Sequence, residues 1–167
     1  KTSVLNNTPH DYHEDTQRLA YVVEGPGYRH VWITDLDGTF QQRITFTGEA
    51  DGPTFSPDGR KLLFTHSTTS VHDANKSLQM YDLGSGILTE IVPPAQNVGI
   101  GADFMPDGNG FVYSSNVGGV STLRWVRANQ TSSVISTGTM TGFGLLKISP
   151  NGSRVAYHGR TSGQFRV

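Results

Sequence analysis

Imidazole and carboxylate side chains can hold divalent metals or carry protons near neutral pH. The sequence offers His30, His66, His72, Asp73 and His158 for such a role. His66, His72 and Asp73 fall in one stretch, residues 65–76, which is longer than its counterparts elsewhere in the chain. A second set, His10 and His13 with Asp11 and Glu14, has ligand-like spacing and reads as a polar turn. Asp35-Leu36-Asp37-Gly38 starts like a calcium loop, yet the later ligands and the closing glutamate are missing, so it reads as a hairpin turn. There is no cysteine, which excludes disulfides, thiolate zinc sites and cysteine nucleophiles. Gly-x-Ser-x-Gly, His-Glu-x-x-His, phosphate-loop and dinucleotide fingerprints are also missing, so the sequence shows no catalytic signature.

What positions these side chains is a repeat. Phe55-Ser56-Pro57-Asp58-Gly59, Phe104-Met105-Pro106-Asp107-Gly108 and Ile148-Ser149-Pro150-Asn151-Gly152 superimpose without gaps, 49 and 44 residues apart. A degenerate copy stands 43 residues before the first, at Tyr12-His13-Glu14-Asp15-Thr16. The motif is explained by backbone chemistry: Pro presets φ, Asp or Asn bonds amides two residues on, and Gly accepts positive φ. Asp15, Asp58, Asp107 and Asn151 are therefore assigned to turns and not to catalysis, since Asn serves the turn as well as Asp.

Each turn joins a short segment ending in an apolar residue to a burst ending in an aromatic one: Tyr21, Phe64, Tyr113 and Tyr157. A third strand follows at Val31-Trp32-Ile33, Leu78-Gln79-Met80-Tyr81 and Leu123-Arg124-Trp125-Val126. A fourth follows at Gln42-Arg43-Ile44-Thr45, Leu88-Thr89-Glu90-Ile91 and Ser133-Val134-Ile135. Four strands per repeat, in sheets that cannot bury both faces alone, imply radial stacking. The fold class is all-β, a β-propeller of four-stranded antiparallel blades. The blades span about 9–47, 48–94, 95–138 and an incomplete 139–167, and residues 1–8 form a last strand of a neighbouring or closing blade. The ragged ends favour a fragment of a larger ring of six to eight blades over a closed four-bladed one.

The turn motif together with Trp32-Ile33-Thr34-Asp35-Leu36-Asp37-Gly38 resembles the TolB-like, WD-related propeller repeat, over essentially the whole chain. The resemblance implies a non-catalytic scaffold that binds a protein or peptide, in a periplasmic or extracellular setting. Two alternatives share it: the substrate-gating propeller of a prolyl-oligopeptidase-like peptidase whose hydrolase domain lies elsewhere, and a carbohydrate-active propeller with a divalent metal on its histidines.

Blade topology collects His30, His66, His72, Asp73 and His158 on one rim, opposite the turn motif, where residues 65–76 make a candidate binding loop. No cofactor is expected beyond that alternative metal. A net charge of -1 argues against nucleic acid as a partner, and no apolar run is long enough to span a bilayer as a helix. A complete ring would be a monomer.

Overall fold

The computed structural model describes residues 10–72, 74–127, 133–137, 142–161 and 164–166. The first blade is β1 (His10–His13), β2 (Arg18–Gly25), β3 (Tyr28–Asp35) and β4 (Gln41–Arg43), paired antiparallel in that order. The second is β5 (Glu49–Phe55), β6 (Lys61–Ser67), β7 (Ser77–Asp82) and β8 (Leu88–Val92). The third is β9 (Val98–Phe104), β10 (Gly110–Val117), β11 (Val120–Arg127) and β12 (Ser133–Thr137). The fourth shows β13 (Gly142–Ile148), β14 (Val155–Thr161) and β15 (Gln164–Arg166). A parallel pairing, Arg29 with Glu49, links the first two blades. No helix among the described residues is long and apolar enough to cross a membrane.

Period-two alternation lets each blade serve two neighbours. On β6, Leu62 and Phe64 join Ala20, Val22, Val31 and Ile33 of the first blade, whereas Leu63 turns the other way to Phe104, Phe111 and Tyr113 of the third. On β10 the same division sends Val112 to Leu146 and Ile148 of the fourth blade. Among the described residues the core is thus three clusters between blades. A fully buried Leu or Phe contributes about 1.5–3 kcal/mol by removal from water, so most of the apolar stabilisation lies between blades.

The first strand of the second, third and fourth blades breaks register with its partner at a corresponding place, between Asp51 and Thr54, opposite Ser114, and between Phe143 and Leu146. Such bulges bend the strand and re-aim its side chains. Gly52 (φ +59) sits in one of them, and a Cβ there would lie 2.9 Å from the Gly101 amide nitrogen. The inner strands of adjacent blades therefore approach backbone to backbone.

The repeated turns use their side chains fully. Asp58 Oδ1 accepts Ser56 Oγ at 2.6 Å and the Arg60 amide at 3.1 Å, and Gly59 (φ +66) donates to Ser56 O. Asp107 Oδ1 accepts the Asn109 amide at 2.9 Å, and Asn151 Oδ1 accepts the Ser153 amide at 3.1 Å. Gly108 and Gly152, which follow Pro106 and Pro150 by two residues, have φ of +71 and +69. The degenerate copy differs: its left-handed residue is Gln17 (φ +52), one place later than the alignment puts it. His13 stands where the other copies have Ser or Met and holds the turn by accepting the Thr16 amide on Nδ1.

Candidate functional site

Strand direction alternates, so the β2–β3, β6–β7 and β10–β11 hairpins and the β4–β5 and β8–β9 links share one rim, here the loop rim. The Ser-Pro-Asp-Gly turns occupy the other, the turn rim. Of the residues expected on the loop rim, His30, His66 and His158 belong to strands β3, β6 and β14, and His72 alone sits on a loop. Asp73 lies outside the described residues. The β6–β7 connection spans residues 68–76, because β6 continues through Ser67.

His66 is committed to structure. Its Nε2 lies 2.9 Å from Thr47 O, which assigns the proton to that nitrogen, and Nδ1 then accepts from Gln79 Nε2 at 3.3 Å. It thereby pins the link leaving the first blade to the second. His30 is buried, with Nδ1 3.4 Å from Thr45 Oγ1 and its ring stacked on Tyr28 at 5.4 Å. Burial, then the nearby Arg43 and His66 side chains, hold its pKa below the ordinary histidine value, against a smaller opposing pull from Glu49. His158 is half-buried on β14, where the missing side chain of Gly144 makes room for its ring. Among the described residues no three His, Cys, Asp or Glu side chains come together as a metal site.

The loop at 68–76 is anchored from both sides. Val71 is buried, and the Glu49 carboxylate accepts Ser70 Oγ at 2.9 Å and the Val71 amide at 3.0 Å. Thr68, Thr69, His72, Ala74 and Asn75 remain exposed. Beside it Arg29 bridges Asp51 at 2.6 Å and Glu24 at 2.7 Å, tying the first blade to the second. Burial pushes the Asp51 carboxyl above its usual range, and Arg29, the Gly52 amide and His72 oppose that shift. Neighbouring hairpin tips add exposed apolar side chains: Tyr28 on the first, and Val117 and Val120 on the third.

On the turn rim, His13 Nε2 donates to Pro57 O at 3.0 Å, and its ring lies 5.8 Å from that of Phe55. This joins two successive turns. Gly59 must be glycine partly for this reason, since a Cβ would meet the His13 ring at 2.7 Å.

Sequence reasoning missed the axis. Asp11, Thr54, Asp103 and Lys147 stand one place before Tyr12, Phe55, Phe104 and Ile148, and their side chains meet. Asp11 Oδ2 accepts the Phe55 amide at 2.8 Å, and Asp103 Oδ2 accepts the Ile148 amide at 2.7 Å. Thr54 Oγ1 lies 3.3 Å from Asp11 and 3.2 Å from Asp103. Lys147 Nζ lies 3.2 Å from Asp11 and 3.4 Å from Asp103. The available signal was polarity: this register position is polar in all four copies, although an apolar residue follows each time.

The profile of the TolB beta propeller domain matches residues 4–167. The Tol-Pal system protein TolB of Nitratidesulfovibrio vulgaris is 35% identical over 91 residues, covering 53% of this chain and 20% of that protein. TolB from Acinetobacter baumannii superposes with a TM-score of 0.75 at 24% identity, over 94% of this chain and 39% of the other. A putative TolB from Agrobacterium tumefaciens gives 0.79 at 20% identity, over 94% and 55%. At such identities these two structures show the fold. The chain therefore spans between a fifth and somewhat over half of the length of these relatives. With almost its whole length matched, the chain belongs to the TolB beta propeller domain family.

Proposed function

We propose that this chain is part of a non-catalytic TolB-like propeller that binds a protein or peptide through its loop rim, in the bacterial envelope. The observation that carries the rim assignment is the loop at 68–76: Val71 and Glu49 hold it in place, while Thr68, Thr69, His72, Ala74 and Asn75 are exposed. A pre-positioned loop on a rigid scaffold recognises a partner without a large ordering cost. The turn rim offers less, because Asp58, Asp107, Asn151 and His13 already serve their own turns. A partner of protein class also suits a relative named as a Tol-Pal system protein. The metal-dependent alternative has less support, since the bonds to Thr47 and Gln79 engage both ring nitrogens of His66.

The test uses the natural full-length protein as bait for envelope proteins of the organism that makes it. Loop-rim variants Thr69→Arg and Val120→Asp are compared with the turn-rim variant Leu36→Asp. Capture of a defined polypeptide should fall at least about tenfold for the first two and stay unchanged for the third. Equal capture by all three, or loss with Leu36→Asp alone, would overturn the rim assignment.

A further inference from the structure

Stacked repeats ordinarily touch only their neighbours, so a chain of blades can loosen one blade at a time. The axial cluster departs from that rule. Lys147 on the fourth blade reaches Asp11 on the first, 136 residues away, and Asp103 on the third. Each aspartate in turn accepts the amide that begins its neighbour's turn motif: Phe55 at the junction of the first and second blades, and Ile148 at that of the third and fourth.

We propose that Lys147 is an axial clasp, a positioning residue that couples the first and fourth blades across the axis, so that both junctions open together and not separately.

Two observations support the clasp. The aspartates are well covered, with side-chain exposures of 21% and 12%, and both lie within reach of a single Thr54 hydroxyl, whose one proton satisfies only one of them at a time. Without the lysine, two carboxylates would face each other with little to separate their charges. Lys147 itself is 60% exposed and its two contacts exceed the 2.7–2.9 Å of the strongest charge-assisted bonds. The clasp is thus moderate in strength and open to salt.

Hydrogen exchange in the full-length protein tests this, read at the amides of Phe55 and Ile148 in wild type, Lys147→Met and Lys147→Arg. Lys147→Met should lower protection about threefold to tenfold at both amides, and Lys147→Arg should restore most of it. Raising salt to about 1 M in the wild type should move both amides in the same direction, which keeps the test available should Lys147→Met not fold. If Lys147→Met changes Ile148, its neighbour in sequence, and leaves Phe55 untouched, the clasp is wrong. Independent responses of the two amides to salt would overturn it as well.

Discussion

The axis and the loop rim draw on similar side chains, carboxylates and hydroxyls with a cation among them, and put them to different use. At the axis every polar group points at another blade: Asp11 and Asp103 hold amides of the next blade, and Lys147 joins them. At the loop rim only part of the set does so. His66 and Arg29 staple the first blade to the second, while Thr68, Thr69, His72 and Asn75 stay exposed on an anchored loop. The contrast separates side chains that set blade geometry from side chains open to solvent. Histidine content alone does not draw this line, because two of the rim histidines, His30 and His66, work for the fold.

If the axis governs blade packing, its substitutions should cost the most. Asp103→Ala leaves the half-buried Ile148 amide without its acceptor and Lys147 with one partner, so urea denaturation should show a loss of about 2–3 kcal/mol. His66→Ala removes one staple at the loop rim and should cost about 1–2 kcal/mol by the same measurement. A larger loss for His66→Ala than for Asp103→Ala would break the comparison.

The pH response sharpens it. The His30 pKa is held down in the folded protein, so the unfolded chain takes up that proton first as pH falls through about 6.5. Stability from His30 is complete above that pH and is lost below it, and His30→Phe should flatten this part of a stability profile. Val120→Ser, on an exposed hairpin tip, should change stability by no more than about 0.5 kcal/mol. Under the proposed function, its effect is expected on capture of the partner.

The blades were legible because their turns are backbone chemistry written in side chains. Pro57-Asp58-Gly59 announces a bend, and the unbroken apolar burst after it, Leu62-Leu63-Phe64, announces a strand that buries both faces. The degenerate turn was harder to read, since His13 replaces the Ser of the motif and its contact with Pro57 exists only across blades. The loop at 68–76 was visible by its length, but Glu49, the side chain that anchors it, lies about twenty residues earlier and carries no local mark. The axial set stayed hidden for a related reason. Asp, Thr, Asp and Lys share no motif, and what unites them is a register position that becomes one place only when four strands converge.

The loop rim, and not the turn rim, is expected to meet the partner. Hydrogen exchange of the full-length protein, with and without the polypeptide it captures, reads this directly. Added protection is expected at residues 68–76 and 117–120, with the turns at 56–60 and 105–109 unchanged. Protection confined to those turns would contradict it.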